Sequence, residues 1–150
     1  MKTIYLYADG ACRGNGKENA LGGYGIVLID FDTKKKKEIK YACRGVTNNI
    51  MELRSVIDGL KILNKPLKVK IFSDSKYVVD AFNQKWIFNW RRNGWKNASK
   101  NPVKNKELWE ELWELTQKHE CEFNWVKGHS TDVYNNRCDE LANNAMDELI

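Results

Sequence analysis

Residues 47–74 read TNNIMELRSVIDGLKILNKPLKVKIFSD, and this stretch, in which a helical pattern gives way to a strand pattern, decides the fold. Apolar residues recur at intervals of three and four, which predicts an amphipathic helix over 47–63 with Thr47 or Asn48 as its cap. A strand pattern follows a proline and covers 67–72. Because a helix that leads into a strand permits a crossover, this strand is expected to lie parallel to one that precedes the helix.

Three strand patterns precede this helix, at 3–8, 26–29 and 38–44. Short polar turns separate them, and the first ends at the turn signal Asp9-Gly10, so they are expected to form an antiparallel meander. Beyond the crossover strand, helices are predicted at 76–83, 107–118 and 135–149, with a fifth strand at 122–126. The predicted fold class is α/β, a mixed five-stranded sheet with antiparallel strands 1–3, then parallel strands, flanked by helices.

Length and composition are those of one domain spanning 1–150, since 42% of the 150 residues are hydrophobic. No apolar run approaches the roughly 20 residues of a membrane span, and the sequence opens on a strand pattern rather than a signal peptide. No membrane partner and a cytoplasmic location are therefore expected. The four cysteines show no metal-binding spacing and are interpreted as reduced thiols.

The net charge of +5 is unevenly distributed along the chain. Residues 81–106 carry seven basic residues and no acidic one, whereas the rest of the chain has a net charge of −2. Trp86, Trp90 and Trp95 lie among these basic residues, which indicates a polyanion partner that also offers stacking surfaces. A separate lysine run at 34–37 is interpreted as a solvated hairpin tip, with contact to nucleic acid as the alternative.

Four acidic residues are candidates for one site. Asp9 and Asp74 follow strands 1 and 4, so parallel pairing of these strands would bring both carboxylates to the same edge of the sheet. Glu52 and Asp139 lie at the borders of the apolar arcs of their helices, from which they can reach over that edge. Taken singly, each acid is explained as a turn residue, a helix cap or a solvated side chain.

Convergence of these acids would require a cation, because close carboxylates repel one another and otherwise take up protons. Oxygen ligands favour Mg²⁺, with Mn²⁺ as an alternative, over Zn²⁺. Two such ions can activate water and stabilise the leaving oxygen of a phosphodiester. His129, in a polar loop, is either a structural residue or a proton shuttle beside the metals.

Five sequence blocks occur in an order that resembles type I bacterial ribonuclease H, and the resemblance covers essentially the whole chain. Residues 81–106 contain a segment similar to the basic protrusion of that family. The blocks are Tyr7-Ala8-Asp9-Gly10-Ala11-Cys12, Thr47-Asn48-Asn49-Ile50-Met51-Glu52-Leu53, Phe72-Ser73-Asp74-Ser75, Trp125-Val126-Lys127-Gly128-His129 and Arg137-Cys138-Asp139-Glu140-Leu141-Ala142.

The resemblance implies an endonuclease that hydrolyses the RNA strand of RNA–DNA hybrids and leaves 5′-phosphate and 3′-hydroxyl ends. It implies two metal ions with substrate bound, held by Asp9, Glu52, Asp74 and Asp139, with His129 assisting turnover. Monomeric action is expected. The residues expected to contact the hybrid are Cys12, Asn15, Thr47, Asn48, Lys76, Trp86, Trp90, Arg91, Arg92, Lys96, Lys104 and Asn105.

Within that set, the resemblance assigns Cys12, Asn15 and Asn48 to the RNA minor groove, where 2′-hydroxyls distinguish RNA from DNA. It implies a pocket for a DNA phosphate at Thr47, Lys104 and Asn105, and deoxyribose packing at Trp86.

Some positions depart from the family pattern. Lys76 stands where a glutamine that contacts RNA is common, Ile50 replaces a basic residue, and the stretch after His129 is less rich in glycine. Two other interpretations are a non-catalytic module that binds hybrids and a metal-dependent nuclease of the same superfold with another substrate.

Overall fold

The computed structural model describes residues 1–128 and 131–150. The elements are β1 (Thr3–Arg13), β2 (Leu21–Asp30), β3 (Lys36–Arg44), α1 (Asn48–Ile62), β4 (Lys68–Ser73), α2 (Lys76–Asn83), α3 (Trp86–Arg92), α4 (Lys106–Gln117), β5 (Glu120–Trp125) and α5 (Val133–Leu149). The strands form one five-stranded sheet in the order β3-β2-β1-β4-β5. Strands β1, β2 and β3 pair antiparallel, whereas β4 pairs parallel with both β1 and β5, as predicted.

Short polar side chains fix the starts of three of these helices. The hydroxyl oxygen of Thr47 accepts a hydrogen bond from the amide of Ile50 at 3.2 Å, which caps α1. Ser75 caps α2 in the same way, and the carboxylate of Asp132 accepts from two amides in the first turn of α5. These bonds satisfy amides that a helix leaves without partners in its first turn. Each capped helix therefore begins within a residue or two of a strand end or loop that carries candidate site residues.

The first strand is longer than predicted. Asp9-Gly10 is not a turn, because β1 continues to Arg13 and pairs with the glycine-rich part of β2, where Asp9 faces Gly25 and Gly10 faces Tyr24. The glycines there allow close packing against α5, since a Cβ on Gly25 would lie 2.1 Å from the carbonyl oxygen of Cys138. The glycine-rich stretch is consequently a strand that supports a helix.

A second difference lies in the basic segment, where the sequence predicted no regular structure. Residues 86–92 form α3, and Ile87 on this helix is buried in the core. The sequence did not predict this helix because aromatic and basic residues occupy its solvent-facing positions and obscure the apolar periodicity. The basic residues at 91 and 92 therefore project from a short helix anchored by Ile87.

The two faces of the sheet have different covers. Helices α1 and α4 pack together on one face over the larger core, with Leu53, Val56 and Trp109 fully buried. Helix α5 packs against β1, β2 and β3 on the other face, where Cys138 and Leu141 meet Tyr7. In the described part of the chain, no helix combines the length and apolar character that crossing a membrane requires.

Candidate active site

The end of the parallel pairing between β1 and β4, together with the first turns of α1, places three carboxylates close to one another. The parallel pairing of β1 with β4 ends at Tyr7 and Phe72, and Asp9 and Asp74 each follow two residues later. Glu52 lies in the second turn of α1, on its buried side. One ligand oxygen from each of Asp9, Glu52 and Asp74 lies within 4.8 Å of the others. These three carboxylates therefore converge as expected, although Asp9 lies inside β1 and not after its end.

Two of these acids are largely removed from water, since Asp9 is 6% and Glu52 5% exposed. The amide of Gly10 donates a hydrogen bond to Oε1 of Glu52. A Cβ on residue 10 would lie 2.5 Å from the backbone nitrogen of Glu52, so glycine lets the strand and the helix touch backbone to backbone. This contact fixes where the Glu52 carboxylate points.

The electrostatics of the cluster are unfavourable to three negative charges. Burial raises the pKa of Asp9 above its ordinary value, and the neighbouring Glu52 and Asp74 raise it further. Burial and Asp74 likewise raise the pKa of Glu52, while the Gly10 amide and the hydroxyl of Ser75 oppose that rise. A cation among the oxygens would reverse this cost.

The fourth predicted acid, Asp139 in α5, lies at the rim of the same site. It lines a cavity of about 480 Å³ together with Asp9, Glu52 and Asp74. Its charge contributes to the raised pKa of Asp9, although it is outside the tight set of three. The amide group of Asn143 donates to its backbone oxygen at 3.0 Å and to its carboxylate at 3.4 Å. Asp139 thus approaches the cluster from α5, on the face of the sheet opposite to α1.

The donor set fits a hard divalent cation. Asp9, Glu52 and Asp74 offer carboxylate oxygens alone, and their mutual spacing allows one ion to touch all three. Two of them are buried and have raised pKa values. A bound cation would stabilise their ionised forms and so lower these pKa values. Mg²⁺ and Mn²⁺ match this chemistry, whereas Zn²⁺ usually takes nitrogen or sulfur ligands.

One wall of the cavity carries the residues predicted to contact RNA. Cys12 and Asn48 line it, and the side-chain oxygen of exposed Asn15 accepts a hydrogen bond from the Asn48 amide at 3.1 Å. The thiol of Cys12 contacts the carbonyl of Val46 at 3.5 Å. Thr47 is the cap of α1. The structure thus places Cys12, Asn15 and Asn48 near the start of α1, beside the acids. Thr47, which was predicted to bind a phosphate of the DNA strand, lies at the same helix start.

Lys76 also lines the cavity, but its ammonium group lies 4.8 Å from the ring centroid of Trp125. The indole nitrogen of Trp125 donates to the backbone oxygen of Asp74 at 3.1 Å. A Cβ on Gly128 would lie 2.8 Å from Oδ2 of Asp74. Trp125 and Gly128 therefore restrict the position of Asp74. The sequence did not predict this role, because only the family block pointed to this segment.

The basic segment presents its predicted residues unequally. Trp86, at the start of α3, is 43% exposed, whereas Trp90 packs edge-on against Trp109 at 5.2 Å and is half-buried. The guanidinium of Arg91 lies 4.5 Å from the ring centroid of Trp113. The free aromatic surface is thus smaller than the sequence suggested, although the side chains of Arg92, Lys96 and Lys104 are all exposed.

Asn105 occupies the first position before α4, in a left-handed conformation with φ 61°. Its amide group donates to the hydroxyl of Tyr77 at 3.1 Å, and the indole of Trp109 donates to the same oxygen at 3.2 Å. These bonds tie the end of the basic segment to α2. The predicted role of His129 lies outside the described residues.

Comparison with known proteins identifies the class to which this fold and site belong. A solved structure described as LC9-RNase H1, a type 1 RNase H with the type 2 active-site motif, superimposes with a TM-score of 0.87 at 28% identity, covering 100% of this chain and 74% of that one. LC11-RNase H1 in complex with RNA/DNA hybrid shares the fold, with a TM-score of 0.73 at 23% identity, over 97% of this chain and 98% of that one.

Sequence comparison gives the family. The family model for RNase H matches residues 1–147. A ribonuclease H of Clostridium botulinum is 60% identical over 149 residues, which are 99% of this chain and 99% of that protein. The chain belongs to the RNase H family. It is an enzyme with ribonuclease H activity, hydrolysis of the RNA strand of an RNA–DNA hybrid.

Proposed function

We propose that Asp9, Glu52, Asp74 and Asp139 hold two Mg²⁺ ions when substrate is bound, with Mn²⁺ as a substitute, and that cleavage is endonucleolytic with 5′-phosphate and 3′-hydroxyl products. The observation that carries this proposal is the approach of three carboxylates within 4.8 Å, two of them buried. Bound ions supply an activated water and charge stabilisation for the leaving oxygen.

The chain's own groups prepare the site for that chemistry. The Gly10 amide fixes the carboxylate of Glu52, and Trp125 holds the backbone of Asp74 through its indole nitrogen. Because these groups are oriented in advance, less reorganisation is needed when the substrate arrives. His129 is proposed, from the family motif, to carry a proton to the leaving 3′-oxygen.

Selection of hybrid over either pure duplex is proposed to come from two surfaces. Cys12, Asn15 and Asn48 contact the RNA strand in its minor groove, where they recognise 2′-hydroxyl groups. Thr47, Lys104 and Asn105 hold a phosphate of the DNA strand, and exposed Trp86 packs on a deoxyribose. The proposed contacts to further phosphates come from Lys76, Arg91, Arg92 and Lys96. Trp90, which packs against Trp109 and is half-buried, is proposed to contact the hybrid through the part of its ring that stays exposed.

We also propose that residues 1–150 form one catalytic domain that acts as a monomer, with 81–106 as its basic arm. The match of the family model to 1–147 supports the first part. The four cysteines are free, which supports a reducing compartment, the cytoplasm. The partner is the RNA–DNA hybrid.

Product analysis tests the proposed chemistry. A hybrid with an internally labelled RNA strand is cut with Mg²⁺, and the fragments are then offered to an RNA ligase that requires a 5′-phosphate. Ligation of the downstream fragment, and extension of the upstream fragment from its 3′-hydroxyl, are expected. Fragments that ligate only after treatment with a kinase would contradict the proposed direction of attack.

A further inference from the structure

A chain of aromatic rings runs across the sheet face on the side of α5. In order, the rings belong to Phe31, Tyr5, Phe72, Tyr7 and Tyr134, and we call this set the ring ladder. Neighbouring centroids are 5.5 Å, 5.5 Å, 4.6 Å and 5.1 Å apart. Phe31 is 45% exposed, and Tyr5, Phe72 and Tyr134 are half-buried. Tyr7 is buried, whereas the other four residues of the ladder keep part of their surface exposed.

Lysines accompany the rings of the ladder. The ammonium of Lys34 lies 4.2 Å from the centroid of Phe31, that of Lys36 lies 5.1 Å from Tyr134, and that of Lys70 lies 5.9 Å from Tyr5. Two of these lysines belong to the run at 34–37, which the catalytic site does not use. Each lysine side chain is flexible, so its ammonium group can move from the ring to a phosphate. The ring is then free to stack against a base.

Acidic side chains near the ring ladder offset part of its positive charge. Two of the nearby acids already have partners, since Asp30 binds Lys2 at 3.0 Å and Glu38 binds Arg137 at 2.7 Å. Glu122 is the cross-strand neighbour of Lys70, and the carboxylate of Asp132 caps α5 beside Tyr134. The positive charge on the rings therefore comes mainly from Lys34 and Lys36. The Asp30 carboxylate also accepts bonds from the amides of residues 32 and 33, which fixes the turn that presents Phe31.

The ladder is continuous with the catalytic edge of the sheet. Tyr7 lies two residues before Asp9 and Phe72 two residues before Asp74, while Phe31 is at the other end, bonded through its amide to the carbonyl of Thr3. A nucleic-acid strand that leaves the catalytic edge along this face would therefore meet the partly exposed rings of Phe72 and Tyr5 and then the exposed ring of Phe31. Alternating rings and cations match alternating bases and phosphates, whereas an acidic peptide offers no regular series of planar groups.

We propose that the ring ladder with Lys34, Lys36 and Lys70 is a second nucleic-acid site, which binds single-stranded DNA or RNA by stacking and phosphate contacts. This site is separate from the groove for the hybrid and does not need the metal. It would hold a single-stranded segment that extends beyond a duplex.

Fluorescence anisotropy with labelled dT12, in EDTA so that the acids remain without metal, tests this proposal. Phe31→Ala is expected to weaken binding by about fivefold or more, the lower end of measured base-stacking effects, while Phe31→Tyr retains it. Lys34→Gln with Lys36→Gln should lower the salt dependence by a slope of about 1.4. The matched double variant Lys65→Gln with Lys118→Gln should leave the slope unchanged. Unaltered binding by Phe31→Ala, with normal thermal unfolding, would overturn the proposal.

The basic arm can also attract single strands, so the location of binding is measured separately. Amide chemical-shift mapping with dT6 is expected to show changes at residues 4–6, 31–36 and 70–72. Chemical-shift changes confined to residues 81–106 would overturn the proposal. It would also be overturned if an acidic peptide, but not dT6, shifted the amide signals of residues 4–6, 31–36 and 70–72. Neither readout depends on cleavage, so the result is independent of the proposed metal chemistry.

Discussion

The amide of Gly10 donates a hydrogen bond to the carboxylate of Glu52, and this contact joins the first strand to the first helix at the centre of the catalytic site. It is possible because residue 10 has no side chain, since a Cβ there would meet the backbone of α1 at 2.5 Å. The same contact brings Glu52 beside Asp9, the residue that precedes the glycine. The packing of α1 on β1 and the position of the Glu52 carboxylate thus depend on one glycine.

Gly10→Ala is expected to lower the free energy of unfolding by roughly 3 kcal/mol, because the new methyl group must push two backbones apart. Cleavage should fall as well, since Glu52 moves away from Asp9. Urea denaturation and a hybrid cleavage assay measure the two effects. Gly94→Asn is a control for stability, because its φ is 69° and no atom lies within 4 Å of its Cβ position. Wild-type stability of Gly10→Ala would contradict the close backbone contact.

Asp9→Asn should abolish cleavage, retain most hybrid binding and stabilise the metal-free protein. The gain, on the order of 2 kcal/mol at pH 8, arises because the amide removes the cost of burying Asp9 beside Glu52 and Asp74, whether that carboxyl group is ionised or takes up a proton. Thermal unfolding in EDTA measures it. Asp147→Asn is the control, since Asp147 is an exposed partner of Arg13 and should change stability little.

The same raised pKa values set a pH dependence for the metal-free wild type. Asp9 and Glu52 bind protons more tightly in the folded than in the unfolded protein. Stability should therefore increase as the pH falls from 8 towards the ordinary carboxyl range near about 4, where the unfolded chain also takes up protons. Saturating Mg²⁺ should flatten this dependence. A metal-free protein that loses stability over that pH interval would contradict the buried, repelling cluster.

Arg92→Gln with Lys96→Gln should weaken hybrid binding and reduce its salt dependence by a slope of about 1.8, because each lost phosphate contact removes counterion release. Arg91 is left unchanged in this test, since it packs on Trp113 and its loss would alter the helix. Lys65→Gln with Lys118→Gln is the matched control. An unchanged slope would show that these two side chains do not touch the substrate.

Lys76→Gln separates substrate contact from positioning of Asp74. The expected effect is a salt slope for hybrid binding that is smaller by about 0.9, with little change in the rate at saturating substrate. Stability should fall by about 0.5–1 kcal/mol with loss of the contact between the ammonium and the Trp125 ring. A large loss of rate at saturation would instead show that Lys76 helps to place Asp74.

The sequence predicted those parts of the fold in which apolar residues recur at a regular spacing along the chain. Alternation in the strands and the spacing of three and four in α1 identified most elements and the parallel pairing that brings Asp9 to Asp74. The start of α1 at Asn48 follows from its Thr47 cap. The parallel pairing of β1 with β4 and the position where α1 begins determine where the three carboxylates lie, so they come together as expected.

The parts that were missed depend on contacts between distant residues. Asp9-Gly10 has the local signature of a turn, yet β2 supplies partners that keep it extended. Helix α3 was hidden by exposed tryptophan and arginine side chains, although Ile87 anchors it in the core. The hydrogen bond from Trp125 to Asp74 and the contacts within the ring ladder join residues that are far apart in the sequence. No periodicity along the chain could therefore predict them.

The most direct measurement is one cleavage gel. End-labelled RNA–DNA hybrid, double-stranded RNA and double-stranded DNA are each incubated with the protein in Mg²⁺ and in EDTA, beside the Asp9→Asn variant. Only the RNA strand of the hybrid is expected to be cut, only with Mg²⁺ and only by the wild type. Cleavage of double-stranded DNA, of hybrid in EDTA, or by Asp9→Asn at the wild-type rate would contradict the carboxylate site described above.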